Sequence, residues 1–383
     1  MEPWLERAAG LRPDRVAVEA PEGSLTYAEL LERARAAARG LEGVVPIDLP
    51  AGLDFAVRLH ACLLAGAAAM PVDPRLGERE RAALTTRAAP GTALIVHTSG
   101  TTGAPQPVEL TQANILANAL GTAVALGHDP DERWLCPLPL SHVGGLMVLL
   151  RSAISATTAV IGPPDRDDVT LVSLVPTMLA RLLEAGAPPR RVMLGGAPAD
   201  RALLTRARDA GWPVAPTYGL TQACSAVTVG EPGDVATSGR ALPGLTVTIA
   251  PDGEILVAGP TVAGGGTLRT GDLGRLDERG RLIVTGRKAD TIVSGGENVA
   301  PTEVEAVLLE HPAVADAGVF SRPHTEWGEA VTARVVLRAT ATEQELREWA
   351  GERLARYKVP KTIELAEALP RTASGKLLRR ELT

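Results

Sequence analysis

The 383 residues carry 45% apolar and 22% charged side chains and a formal charge of −6, the balance of a globular chain too long for one ordinary core. That negative balance argues against nucleic acid or an anionic membrane surface as the main partner. Three cysteines, Cys62, Cys136 and Cys224, lie far apart with no CxxC spacing, which excludes a disulfide framework and a cysteine zinc site and points to a reducing cytoplasm.

The opening stretch, MEPWLERAAGLRPDRVAVEA, has early acids and no apolar core, so no signal peptide is expected. The longest nearly unbroken apolar run, around residues 61–72, is too short to span a bilayer. From Leu25, LTYAELLERARAAARGLEG sets apolar side chains at helical spacing, with Gly40 as its stop. Short apolar runs then alternate with helical patterns (AVRLHACLLAGAAAMPV, TALIVHTS, LTQANILANALGTAVALG), which predicts βαβ units and a mostly parallel sheet. The last of these helices takes Thr111 as N-cap and is expected to bury Ile115, Leu116, Ala119, Leu120 and Ala123.

From about residue 237 to 290 the texture changes. LTVTIA, GEILVAG and GRLIVTG are strand-like pieces punctuated by Pro-Gly, Asp-Gly and Arg-Gly turns, which predicts a small barrel or antiparallel sheet. Beyond GRKAD (286–290) it changes again. PTEVEAVLLEHP reads as a short helix with Pro301 in its first turn, and EAVTARVVLR as a half-exposed strand. TEQELREWAGERLARY opens on a Thr342–Glu345 capping box and is expected to bury Leu346, Trp349, Ala350 and Leu354. A domain boundary is placed near 287–291.

HTSGTTGAPQP, residues 97–107, packs hydroxyls and glycines into one loop after a strand-like run. The hydroxyls of Thr98, Ser99, Thr101 and Thr102, with backbone N–H groups, can form a nest for anionic oxygens. Gly100 and Gly103 let the backbone approach closely. GxxxxGK[ST] cannot be aligned here, so this is no Walker A loop, and the residues alone leave an ordinary surface turn as the other reading. The loop holds no lysine. Of 39 basic residues only Lys288, Lys358, Lys361 and Lys376 are lysines.

TSGTTGxP resembles the phosphate loop of the adenylate-forming superfamily (acyl- and aryl-CoA ligases, adenylation domains and luciferases), whose members activate a carboxylate with ATP. LGGAP (194–198), with Gly196, Ala197 and Pro198, looks like the adenine-side turn of that family. PTYGLTQ (216–222), with Thr217, Tyr218, Gly219 and Thr221, looks like its YGxTE motif. RTGDLG (269–274) matches the TGD motif, which implies that Asp272 holds the ribose hydroxyls. GRKADTIVSGGENVAPTEVE (286–305) looks like the inter-domain hinge, with Arg287, followed by a Gly295–Gly296 turn lining the thiol tunnel. PRTASGK (370–376) matches the catalytic-lysine segment and implies that role for Lys376. Six motifs in order cover the chain from about residue 25 to its end, and on them the chain is identified as a member of this superfamily.

The resemblance implies an α/β fold with two domains. Residues 1–287 form a large ATP- and acid-binding domain of βαβ subdomains plus a small β-barrel-like part; residues 288–383 form a small mobile α+β domain carrying the lysine. It also implies ATP and Mg²⁺ as cofactors, coenzyme A as co-substrate and a small carboxylic acid as partner, with no nucleic acid and no membrane insertion. A homodimer is left open. Carboxylate attack on the α-phosphate with loss of pyrophosphate needs positive charge at that phosphate. The small domain would swing about a hinge near Lys288–Asp290, its pivot unassigned, to bring Lys376 there and then withdraw it.

Two departures stand out. Gln106 replaces the lysine usual in the phosphate loop, leaving neutral hydrogen bonds in place of charged ones. Gln222 replaces the glutamate that normally binds Mg²⁺, and an amide oxygen is the poorer ligand for a hard dication. Three readings follow: magnesium bound mainly by ATP, a slow enzyme, or a degenerate nucleotide-binding protein without catalysis. The acid is read from WLCPLPLSHVGGLMVLLRSAI (134–154), PTYGLTQACSAV and SGGENVAPTEVE, which resemble o-succinylbenzoate–CoA ligases of menaquinone synthesis. His142 would stand at the mouth of the acyl pocket. Ser141 takes the place of an aromatic residue common there. Arg151, on the same helix, can meet a second carboxylate, although a surface arginine is the plainer reading. The segment lacks the aspartate that anchors an amino-acid ammonium. With no attached carrier domain, free coenzyme A is the expected acceptor, and a free-standing enzyme loading a separate carrier protein is the alternative.

Overall fold

Strands of Val, Ile, Leu and Ala buried on both faces, such as Thr158–Ile161 and Leu171–Leu174, are the signature of a parallel sheet covered by helices. The computed structural model describes residues 3–84, 87–99, 105–188, 190–371 and 377–382. Its largest sheet has nine strands in the order Arg240–Ala241, Ser225–Val229, Val214–Leu220, Arg191–Leu194, Leu171–Leu174, Arg133–Cys136, Thr158–Ile161, Val16–Ala20 and Gly23–Thr26. The six strands from Val214–Leu220 to Val16–Ala20 run parallel. Antiparallel pairings close both edges.

A second sheet sets Val44–Ile47, Ala68–Pro71 and Thr92–Ser99 in parallel and adds Pro105–Thr111 antiparallel. The apolar run before it is cut in two. Helix Leu53–Ala65 ends on Gly66 at φ 72°, in the left-handed region glycine favours, and strand Ala68–Pro71 follows. No helix among the described residues is long and apolar enough to cross a membrane.

The turn-rich stretch forms an antiparallel meander, Thr246–Ile249, Glu254–Ala258, Thr267–Leu276 and Leu282–Arg287. The last part of the chain builds a five-stranded sheet in which Val314–His324, Gly328–Leu337 and Thr362–Ala366 are neighbours. Helices Pro301–Leu309 and Glu343–Gly351 share a separate apolar core with it. The α/β class expected from the alternation of patterns is what the chain adopts.

Two helices depart from the reading. Thr111 caps Gln112–Leu126 with Asn114 completing the box, but the buried face is Asn114, Ile115, Asn118, Ala119, Gly121 and Thr122. Leu120 and Val124 are 55% and 70% exposed. The amides win the interior because each has partners there. Asn114 Nδ2 donates to the carbonyls of Pro260 and Val262, and Asn118 Nδ2 donates to that of Ala226. The capped helix at Thr342 stops at Gly351, so Leu354 lies beyond it. Trp349 is half-buried; its indole donates to the Val307 carbonyl and its ring stacks under Arg353.

Candidate active site

The two strands that flank the hydroxyl-rich loop pair with each other antiparallel. Strands Thr92–Ser99 and Pro105–Thr111 stay in register to the pair Ser99↔Pro105. Thr98 Oγ1 reaches the Gln106 carbonyl at 3.4 Å. Gly100, Thr101, Thr102 and Gly103 lie outside the described residues, as does the side chain of Ser99. The second strand packs on the short 3₁₀ turn Thr221–Ala223, which sets the hairpin beside PTYGLTQ.

In open α/β sheets ligands bind beyond the carboxyl ends of the strands, and here those ends converge. Strand Arg191–Leu194 runs into Gly195 and Gly196. A Cβ on Gly195 would sit 2.5 Å from Thr217 Oγ1 on the neighbouring strand, and Gly196 has φ 80°. This close approach requires glycine. Thr217 Oγ1 donates to the Leu194 carbonyl at 2.9 Å. Ala197 and Pro198 continue the same turn. Gly219 meets the backbone of Ser225, where a Cβ would fall 1.9 Å from the carbonyl oxygen. Cys224 and Ser225 hold left-handed φ of 56° and 87°, strain of the kind that gathers at functional sites.

Tyr218, Asp272 and Arg287 form one chain of contacts. Tyr218 Oη donates to Asp272 Oδ2 at 2.9 Å, and Arg287 Nε lies 2.9 Å from Asp272 Oδ1. Asp272 and Arg287 are cross-strand partners in the meander, while Tyr218 comes from the nine-stranded sheet. Burial, and then the Asp272 carboxylate, push the Tyr218 phenol up, so it stays a donor. Each carboxylate oxygen keeps a further lone pair to accept hydrogen bonds from a diol.

His142 caps helix Val143–Ser155. Its Nε2 is 3.4 Å from Arg75 Nη2 and 4.0 Å from Asp73 Oδ2, and Ser141 Oγ donates to Asp73 Oδ2 at 3.4 Å. Burial lowers the His142 pKa, which leaves it neutral near pH 7. The Arg75 hydrogen bond holds Asp73 down to about 2. Sequence reading passed over Asp73 and Arg75; the signal was an Asp-Pro-Arg run directly after a buried strand.

Arg151 is not a surface residue. It is 3% exposed, with its guanidinium 5.4 Å over the Trp134 ring. It donates to Asn118 Oδ1 at 2.6 Å and reaches Ser225 Oγ at 3.4 Å. Among the described residues no carboxylate touches it and its Nε has no partner. Burial pushes its pKa down to about 10. A buried cation without a counter-anion is costly to leave unmatched.

Gly295 and Gly296, at φ 61° and 85°, make the two-residue turn between Ile292–Ser294 and Glu297–Val299, with Trp327 packed against Gly295. They stand on the five-stranded sheet, away from the groups above. Lys376 lies outside the described residues. Gln222 is half-buried, and its backbone carbonyl accepts from Ala263 N at 2.8 Å. Among the described residues no cluster of three His, Cys, Asp or Glu side chains is placed to hold a metal. This donor set suits a magnesium ion carried on a nucleotide's phosphates and touched by one neutral oxygen, not a dedicated protein cage. All three cysteines are buried and free.

The sequence pattern of the AMP-binding enzyme family matches residues 5–94 and 86–265, and that of the AMP-binding enzyme C-terminal domain matches residues 303–376. The chain is similar to the 2-succinylbenzoate–CoA ligase of Bacillus cereus (strain AH820), 35% identical over 99% of this chain and 97% of that one. It is also similar to the o-succinylbenzoate CoA synthetase (MenE) of Bacillus subtilis in complex with the acyl-adenylate intermediate OSB-AMP. That match has a TM-score of 0.91 and 32% identity over 100% of this chain and 98% of that one. A double mutant of the same Bacillus subtilis synthetase, bound with its product analogue OSB-NCoA, matches at 32% identity over the same shares of each chain but at a TM-score of only 0.71.

Proposed function

Because the chain belongs to the AMP-binding enzyme family, we propose that it is an ATP-dependent acid–CoA ligase whose acid is 2-succinylbenzoate. One carboxylate oxygen of the acid attacks the α-phosphorus of ATP, the bond to the β-phosphate breaks and pyrophosphate leaves. The thiolate of coenzyme A then attacks the acyl carbon and AMP leaves with the bonding pair. The observation that carries the choice of acid is Arg151, a buried guanidinium with no carboxylate partner among the described residues. A dicarboxylic acid brings one carboxylate to be activated and a second to be recognised, and an arginine fork matches the second.

The nucleotide half follows from the converging turns. The motif Thr98 to Gly103 is assigned the phosphates from its sequence, Gly196 to Pro198 and Thr217 to Thr221 border the base and α-phosphate, and Asp272 with Arg287 takes the ribose. Magnesium enters as part of the ATP complex, and Gln222 offers it one amide oxygen. Gln222→Glu is therefore expected to lower the magnesium concentration for half-maximal rate several-fold, read from initial rates at fixed ATP; an unchanged value removes Gln222 from the metal.

Residues 288–383 act as a separate lobe that turns. Lys288 is tied to Asp252 and Glu254 of the meander at 2.7 and 3.4 Å, while Asp290 is tied to Arg379 at 3.1 Å. Ala289, between two anchored neighbours, is the free position and serves as pivot. Support comes from the two Bacillus subtilis complexes. At equal coverage this chain matches the acyl-adenylate form far better than the product-analogue form, as expected of one sequence with two arrangements of its lobes. ATP and coenzyme A as substrates, with three free cysteines, support a cytoplasmic location.

The test is pyrophosphate–ATP exchange dependent on 2-succinylbenzoate, followed by addition of coenzyme A and detection of thioester. Exchange without thioester turns the reading toward carrier loading. ATP binding with no exchange for any acid in an aromatic panel makes the protein a nucleotide binder.

A further inference from the structure

The end of the chain looks like a solvated tail in sequence, GKLLRRELT, yet its described residues, 377–382, are anchored to the last sheet. Arg379 presents only 18% of its side chain to solvent. Its Nε donates to Asp290 Oδ2 at 3.1 Å, and Nη1 and Nη2 both meet Glu305, the second at 2.9 Å. Nη1 also donates to the Val319 carbonyl at 2.9 Å. Glu305 is equally committed, since its Oε1 accepts from Val319 N at 2.7 Å. This is the planar, two-pronged use of arginine that lysine cannot reproduce.

The segment is pinned on its other side as well. Arg371 and Leu377 form a β-bridge, and Leu378 N donates to the Pro370 carbonyl at 2.9 Å. Arg371 pairs with Asp316 at 2.6 Å, and Leu377 and Leu382 pack with Phe320 and Leu369. Residues 371 and 377 are thus fixed on either side of the stretch that ends in Lys376. Three residues separate Lys376 from Arg379, so their Cα atoms lie within about 11 Å whatever the conformation between them.

We propose that Arg379 is a positioning residue for Lys376, joining the lysine-bearing end of the chain to Asp290, the residue that follows the pivot, and to Glu305 on the neighbouring helix. The inference rests on the ligase reading and deepens it. The lobe turns about Ala289, and Asp290 is the first group beyond that point. A bond from Asp290 to Arg379 ties the chain three residues past the lysine to the group next to the pivot. The first half-reaction, which needs an ammonium at the α-phosphate, depends on this linkage. The second, which proceeds with that ammonium withdrawn, does not.

The experiment compares two half-reactions in full-length protein: acid-dependent pyrophosphate exchange, and thioester formation from supplied acyl-adenylate and coenzyme A. Arg379→Gln is expected to slow exchange about 10- to 100-fold, the scale of a misplaced catalytic group, while thioester formation stays within about threefold. Arg379→Lys recovers part of the exchange. Asp290→Asn, which leaves the Glu305 pair intact and so spares the fold, lowers exchange in the same selective way. Equal loss of both half-reactions in Asp290→Asn, or full exchange in Arg379→Gln, overturns the inference. Wild-type protein is measured first, and absence of exchange there overturns the ligase reading and this inference with it.

Discussion

Lys376→Ala abolishes 2-succinylbenzoate-dependent pyrophosphate exchange, a loss of at least about 10²–10³-fold, while thioester formation from supplied acyl-adenylate survives. The size follows from removing a preorganised charge aimed at a phosphorus whose oxygens gain negative charge as the acid attacks. Gln106 offers no substitute, because it donates only neutral hydrogen bonds. The asymmetry follows from the pivot proposed at Ala289, which lies between Lys288, held by the meander, and Asp290, held by Arg379. In the proposed mechanism the second step proceeds with the lysine turned away, so its loss is expected to be silent there. Loss of both steps by the same factor defeats the account of a turning lobe.

Arg151→Met lowers kcat/KM for 2-succinylbenzoate by about 10²–10³-fold, the cost of removing one partner from a buried charged hydrogen bond. Monocarboxylic aromatic acids, already poor substrates, lose far less. The variant separates recognition from folding in a second way. The protein buries this cation against Trp134, Met193 and Asn118, with no carboxylate beside it among the described residues. Replacing such a charge by an apolar side chain of similar length is neutral or stabilising, so the melting temperature holds or rises as activity falls. A fall in melting temperature with equal losses for mono- and dicarboxylic acids makes Arg151 a packing residue.

How far these features can be read from sequence depends on whether the residues that cooperate are neighbours in the chain. Tyr218, Asp272 and Arg287 are each announced by a local motif, but their mutual contacts join two sheets and no local pattern carries that. The α/β architecture follows from periodicity, since buried parallel strands are apolar throughout. The helix after the hairpin buries a different face from the one its apolar spacing predicts. Asn114 and Asn118 go inside since carbonyls of a distant loop and strand wait for them. Arg151 reads as a surface residue for the same reason, because the partner that makes a buried arginine tolerable lies 33 residues away.

The hairpin has a mechanical consequence. Its second strand runs without interruption into Thr111, the cap of helix Gln112–Leu126, and seven residues on, about 10 Å along the axis, Asn118 grips Arg151. A single stiff run of backbone therefore connects the hairpin proposed to hold a triphosphate at one end with the arginine proposed to hold an organic anion at the other. Occupancy of either end steadies the shared strut, so each ligand is expected to tighten the other by an identical factor, as linkage demands. Calorimetric titration of a non-hydrolysable ATP analogue, with and without the acid, measures that factor; a value of one leaves the strut a passive connection.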